Sequence, residues 1–338
     1  MNLPIVGYTL LYNTKDISRN IAEQALNIQY TDKVGGESDT LEITLEDTNL
    51  HWQNSWYPTK GDNIQLTIRQ MGQQLNCGTF EVDELSCNSS TGGDIFTIKG
   101  LAAGIKKPMR TKNSYAHEDK TLREIANTVA SGLGLTVLGT VPAISFHRVH
   151  QFEETALQFL NRIGNEYGCI FSVRGSNLIF TYYADLEGRQ PSLILSKQQL
   201  LSFDLRDTTH KTFKKARVKH HNPVSKEVIE YVENYDGEDE STDDLEIRSR
   251  VENKGQAEKK AKYALFKNNT EGLGGDISIP GNLLFVAGNN FQLHGAGNFS
   301  GIFHILESTH TISRSGAYLS SGNIKRVKTI DSSYFKTK

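Results

Sequence analysis

One phrase of this chain occurs twice, and it constrains the fold more than any other feature. Gly61-Asp62-Asn63-Ile64-Gln65-Leu66 is followed, after a short turn, by Cys77-Gly78-Thr79-Phe80-Glu81-Val82-Asp83-Glu84. Far downstream, Gly288-Asn289-Asn290-Phe291-Gln292-Leu293 precedes Ser300-Gly301-Ile302-Phe303-His304-Ile305-Leu306-Glu307. Both versions read Gly-[Asp/Asn]-Asn-apolar-Gln-Leu, a turn, then Gly-x-Phe-x-[Val/Ile]-x-Glu. Each half alternates apolar with polar residues, the period of a half-buried strand. The repetition predicts one β-module used twice, so that three copies of the chain would present six modules.

The remaining sequence fits around that pair. Residues 5–100 are punctuated into short strands: Ile5 to Tyr12, the clean alternation Leu41 to Glu46, and Asp94 to Lys99 after the Asn88 to Gly93 turn cluster. Trp52 to Pro58 reads as a packed loop leading into the Gly61 strand. Residues 105–200 change character. Leu122, Ile125, Ala126 and Val129 fall on one face of a helix ended by Gly132 and Gly134, and Ala156, Leu157, Phe159, Leu160 and Ile163 form the apolar set of a second. Strands at Leu135 to Leu138 and Cys169 to Val173 follow, with a hairpin at Arg174 to Asn177. Beyond residue 200 strands return at Lys215 to His220 and Glu227 to Val232, on either side of Asn222-Pro223. An acidic run from Glu233 to Glu246 and a helix from Gln256 to Lys267 follow, and then the second phrase. The predicted fold is mainly β with an α+β insert: a first tube-type β-barrel over 1–104, the insert over 105–200, a second barrel over 201–332 and a frayed tail over 333–338.

Composition excludes several classes. With 338 residues the chain is long enough for two or three cores. Apolar residues make up 37% and charged residues 22%, the balance of a globular chain, and the net charge of −2 argues against a dedicated nucleic-acid binder. The N-terminus, Met1 to Val6, lacks a basic n-region, so no signal peptide is expected, and no segment reaches membrane-spanning length. Cys77, Cys87 and Cys169 have no metal spacing and are expected as buried free thiols.

Candidate chemical motifs each have a simpler structural reading. Gly132-Leu133-Gly134 follows a helix and lacks a third glycine, so it is read as a helix stop and not a dinucleotide loop. His147 and His150 point to opposite faces of an extended segment, as do His220 and His221, and neither pair is expected to hold zinc. Asp236, Glu238, Asp239, Glu240, Asp243 and Asp244 lack the spacing of a calcium loop. No Gly-x-Ser-x-Gly elbow or cysteine nucleophile signature occurs. The expectation is a protein with no catalytic, cofactor-binding or metal residues, one that works by binding neighbours.

The collinear order of several phrases resembles the phage late control protein D family, the baseplate hubs of contractile-tailed phages. They include Trp56 to Asp62 with Cys77 to Glu84, Thr121 to Ala126, Gln151 to Ile163 with Glu166-Tyr167-Gly168, Pro280-Gly281-Asn282, Ala287-Gly288-Asn289, Phe299-Ser300-Gly301, and His310 with Ser315 to Tyr318. Ala317 departs from the pattern, standing where a second glycine is expected. The resemblance implies a homotrimeric ring of six barrels that joins a hexameric tail tube to a separate trimeric spike. It also implies contacts with other baseplate proteins, DNA passing the lumen without specific binding, and no membrane insertion. Assembly in the bacterial cytoplasm and residence in the tail baseplate follow. Hubs of tailocins and other contractile injection systems, including type VI secretion spikes, are similar. The alternatives are an isolated ligand- or carbohydrate-binding module with Trp52, Trp56 and Tyr57 as its platform, and a peptidoglycan-cleaving hub, which would need paired carboxylates in a cleft.

Overall fold

A computed structural model describes residues 6–35, 38–102, 111–174, 177–208, 212–221, 226–235, 243–270 and 272–327. Asn222-Pro223, Gly175-Ser176, the acidic residues Asp236 to Glu240 and the tail 333–338 therefore lie outside the described residues.

The N-terminal part is built from β1 (Val6–Tyr12), β2 (Lys15–Asp16), α1 (Ser18–Ile21), β3 (Ala25–Lys33), β4 (Thr40–Glu46), β5 (Asn63–Gln70), β6 (Gln73–Ser90) and β7 (Gly93–Ala102). Strict alternation in β4 buries Leu41, Ile43 and Leu45, and these meet Leu10, Ile28, Leu66 and Phe80 in one core.

The middle part comprises β8 (Lys112–Thr121), α2 (Leu122–Gly132), β9 (Thr136–Leu138), β10 (Ser145–Thr155), α3 (Ala156–Tyr167), β11 (Cys169–Arg174), β12 (Asn177–Tyr182) and α4 (Tyr183–Glu187). Its two longer helices each follow a strand and start with a capping box. Thr121 with Glu124, and Thr155 with Gln158, satisfy the backbone donors left open by the first turn. The apolar faces read from the sequence, including Ile125, Val129, Phe159 and Ile163, pack together on Phe180. Gly168 ends α3 in the left-handed region, where a Cβ would meet the Tyr263 ring at 2.6 Å, so both backbone and space require glycine.

The C-terminal part contains β13 (Leu193–Ser196), β14 (Ser202–Asp207), β15 (Lys215–His221), β16 (Val228–Asn234), β17 (Asp244–Ile247), α5 (Lys254–Thr270), β18 (Leu273–Pro280), β19 (Asn290–His294), β20 (Gly301–Ser313) and β21 (Tyr318–Arg326). Strands β15 to β17 form a separate three-stranded sheet, whose Ala216 and Val218 pack on Ala257, Ala261 and Leu265 of α5.

The repeated phrase is a repeated structure. The first unit has the strand order β3-β4-β7-β6-β5-β1, and the second has β14-β18-β21-β20-β19-β13, with the members in the same chain order. The pairs Asn63↔Glu81, Ile64↔Phe80, Gln65↔Thr79 and Leu66↔Gly78 recur as Asn290↔His304, Phe291↔Phe303, Gln292↔Ile302 and Leu293↔Gly301. One irregularity coincides as well. Both long strands bulge at the same place, between Val82 and Glu84 and between Ile305 and Glu307. Gly61 donates its N–H to the Val82 carbonyl (2.8 Å), as Gly288 does to the Ile305 carbonyl (2.9 Å). The register equivalence extends through β7 and β21, β4 and β18, and β3 and β14. The units differ in their outermost strand, where β1 runs antiparallel to β5 but β13 runs parallel to β19, and in the β15–β17 sheet and α5, which lie between β14 and β18 in the second unit alone.

The expected class, mainly β with an α+β insert between two similar β units, is the one observed. The units are joined edge to edge through β3 and β20 into a 13-stranded sheet, and among the described residues its hydrogen-bonded pairs trace an open path. Each unit keeps its own apolar core, the second around Phe285, Phe291 and Phe303. The turn before β21 forms despite Ala317: Gly316 alone takes positive φ, and Ser313 N–H donates to the Ala317 carbonyl at 3.0 Å.

Candidate functional site: the joints and edges of the double sheet

Two groups of buried polar side chains sit at joints between parts of the molecule. Where β20 meets β3, seven consecutive pairs run from Glu307↔Lys33 to Ser313↔Asn27. At their centre the rings of Tyr30 and His310 stack with centroids 6.0 Å apart. His310 Nδ1 lies 2.8 Å from the Tyr318 hydroxyl and 3.2 Å from Ser320 Oγ. Burial lowers its pKa to about 4, so the ring is neutral at ordinary pH. Thr31 and Thr309 share a hydroxyl contact (3.2 Å), and Lys33 pairs with Glu307 at 3.4 Å.

The second joint ties the insert to the C-terminal unit. Asn290 directs its side-chain amide to the carbonyls of Leu186, Glu187 and Arg189 at 3.2, 2.8 and 2.7 Å, which satisfies the C-terminal end of α4. Its oxygen faces His304 Nδ1 at 2.7 Å. Burial, and then the nearby Lys325 and Arg189, lower the His304 pKa to about 3. Lys325 Nζ meets Glu187 at 2.5 Å, with its ammonium 4.5 Å from the Tyr183 ring centre. A cavity of about 420 Å³ opens beside this cluster, and its lining includes Arg206, Lys267 and Lys325 but no carboxylate among the described residues. It offers cations and aromatic rings, not an acid–base pair.

The residues weighed from the sequence are placed apart from both joints. His147 is exposed and bonded to Asp119 at 2.8 Å, which raises its pKa; His150 is also exposed on β10. His220 and His221 are neighbours on β15, paired with Ile229 and Val228. Asp244 pairs with Lys215 at 2.9 Å. Among the described residues no group of three His, Cys, Asp or Glu side chains converges on a point. Trp52 is a core residue that donates its indole N–H to Gln24 at 2.7 Å, while Trp56 (44% exposed) and Tyr57 (56% exposed) line a surface cavity with Tyr12 and Pro58. The expectation of buried thiols holds for Cys77 and Cys169 but not for Cys87, which is exposed because β6 past its bulge lies at a sheet edge. Lys325, Glu187 and Tyr30 carried no sequence signal. Asn290 did, as the repeat of Asn63.

No profile of a known protein family matches the chain. Over 177 residues, 52% of its length, it is 28% identical to the probable baseplate hub protein of Escherichia phage 186, of which it covers 44%. The chain thus spans less than half the length of that curated relative. Among solved structures, the 43 kDa tail protein of prophage MuSo2 from Shewanella oneidensis superposes with a TM-score of 0.72 at 15% identity, over 95% of this chain and 98% of that one. An Escherichia coli component of the type VI secretion system superposes with a TM-score of 0.56 at 10% identity, over 90% of this chain and 74% of that one. These findings agree with the resemblance read from the residues: the fold is that of phage tail proteins and their secretion-system counterparts.

Proposed function

We propose that this chain is a structural hub of a contractile-tail baseplate, acting as a homotrimer with pseudo-sixfold symmetry. The observation that carries this reading is the duplicated β unit, matched strand for strand and pair for pair within one chain. Three such chains would present six equivalent units to a hexameric tail tube and threefold symmetry to a separate trimeric spike. The similarity to a probable phage baseplate hub supports it. A three-unit division along the expected lines 1–104, 105–200 and 201–332, with the last boundary moved back to take in β13, contacts with other baseplate proteins and residence in the tail belong to the same reading. The lumen would be polar and poor in lysine and arginine, because closely spaced phosphate contacts would hold passing DNA. The role is one of assembly, without catalysis.

Native mass measurement tests the reading directly: a trimer, alone or in the assembled particle, supports it, and a monomer in both overturns it. The half-exposed Trp56 and Tyr57 beside their cavity favour a second reading, a carbohydrate-binding module. Monomeric protein whose glycan binding is lost in Trp56→Ala would establish that one instead.

A further inference from the structure

The joint inside the chain specifies a joint between chains. Strand β20 carries three neighbours: β21 on one edge, and on the other edge first β19 (Gly301 to His304) and then, past the bulge, β3 (Glu307 to Ser313). Its counterpart β6 has β7 on one edge and β5 on the other up to Glu81. Past the same bulge, from Glu84 to Ser90, no strand pairs with that second edge among the described residues. The counterpart of β3 is β14, which among the described residues pairs with β18 alone. The chain therefore contains one completed joint and the two separated halves of another.

We propose that β6 of one protomer pairs with β14 of the next, in the register that β20 and β3 use within the chain. The proposal rests on the trimeric reading above and extends it to named residues. Glu307↔Lys33 through Ser313↔Asn27, carried across the duplication, become Glu84↔Thr208, Leu85↔Asp207, Ser86↔Arg206, Cys87↔Leu205, Asn88↔Asp204, Ser89↔Phe203 and Ser90↔Ser202. Each unit then offers its β14- or β3-type edge to the following unit. The contact is head-to-tail, so it closes only as a ring.

The surface fits this occupant. Ile28 and Tyr30 on β3 are 2% and 4% exposed, covered by the completed joint, whereas their counterparts Phe203 and Leu205 are 37% exposed and half-buried. Beyond Glu84 at its start, the free stretch of β6 carries no charged residue, proline or further bulge, the devices that keep a sheet edge from pairing. Seven register positions on each side, alternate ones with N–H and C=O directed to the open edge, supply the ladder that a second strand would complete.

Cys87 makes the register measurable. It is free and exposed, and the proposed pairing places it opposite Leu205. Cα atoms of directly opposed antiparallel residues stand about 4.5–5.5 Å apart, within disulfide range. Purified full-length Leu205→Cys, oxidised with copper phenanthroline, is expected to run on non-reducing gels mostly as covalent dimers and trimers, with peptide mapping joining Cys87 to the introduced thiol. Wild type and Asp204→Cys, whose side chain points to the opposite face, are expected to remain uncrosslinked. Because Leu205 is half-buried, Ser86→Cys/Arg206→Cys in a Cys87→Ser background tests the adjacent, exposed pair without touching the core. A native trimer in which neither design crosslinks, or in which Asp204→Cys crosslinks equally, overturns the strand pairing and leaves the trimer standing. A monomer without crosslinks overturns both.

Discussion

Lys325 Nζ lies 2.5 Å from a carboxylate oxygen of Glu187, with both side chains almost wholly buried between the last strand and the short helix α4. Taking two charges out of water is costly, and the attraction between them offsets that cost only while both are present. Lys325→Met is expected to lower stability by about 3–5 kcal/mol in urea unfolding, because Glu187 is left buried without its partner. Adding Glu187→Leu is expected to recover most of the loss. The single variant should also have a distinctive pH dependence. Burial already raises the Glu187 pKa above its ordinary 4.5, and Lys325 counteracts this. Without the lysine, the folded form holds its proton to higher pH than the unfolded chain. The Glu187 contribution should therefore be greatest below about pH 4.5 and fall as pH rises, read as the difference from Lys325→Met/Glu187→Leu, which keeps the buried histidines and lacks the carboxylate. A flat difference between the two variants would show that Glu187 is not titrating there.

Buried histidines make the wild type sensitive to acid, His304 and His310 most strongly, with His117 lowered in the same direction. The His304 and His310 pKa values are lowered to about 3 and about 4 from an ordinary 6.5, chiefly by burial. Between those values and 6.5 the unfolded chain binds more protons than the folded one, so stability is complete above pH 6.5 and declines below it. Each histidine contributes a slope of about 1.4 kcal/mol per pH unit in its window. His310→Gln is expected to reduce the slope between pH 4.5 and 6 by about 1.4 kcal/mol per pH unit, measured by denaturation midpoints across pH.

Phe80 and Phe303 occupy equivalent positions in the two cores and are fully buried. Each change to alanine removes apolar contact and leaves a cavity, with an expected loss of about 3–5 kcal/mol. Both variants should impair assembly as well. If either substitution leaves the thermal midpoint unchanged, the equivalence of the two cores is refuted.

Exposed polar residues should behave in the opposite way. His147→Ala removes a surface contact with Asp119 and is expected to leave folding and particle assembly intact. Purified protein is expected not to release fragments from peptidoglycan, in wild type or in this variant. Hydrolysis lost on His147→Ala would replace the structural role with an enzymatic one.

The sequence alone determined the local structure. Alternation fixed β4, 3.6-residue periodicity fixed α2 and α3, and the doubled Gly-x-Asn and Gly-x-Phe phrases marked equivalent strands. These signals are legible because each arises from residues close together in the chain. Strands β3, β8 and β10 carry more polar, less regular patterns, and their pairing partners lie elsewhere in the sequence, so the residues did not announce them. Tertiary structure decided which strand edges are covered. Tyr30 meets His310 and Lys325 meets Glu187 only because distant segments pack together, across 280 and 138 positions of chain respectively. From the sequence Cys87 reads as a buried thiol, and Leu205 carries no signal. Their place on two open edges follows from what pairs, and what does not pair, with the strands that hold them. Periodicity reports which face of a strand is buried, but the backbone groups along its edge are the same for every residue type, so the partner that satisfies them is set by topology alone.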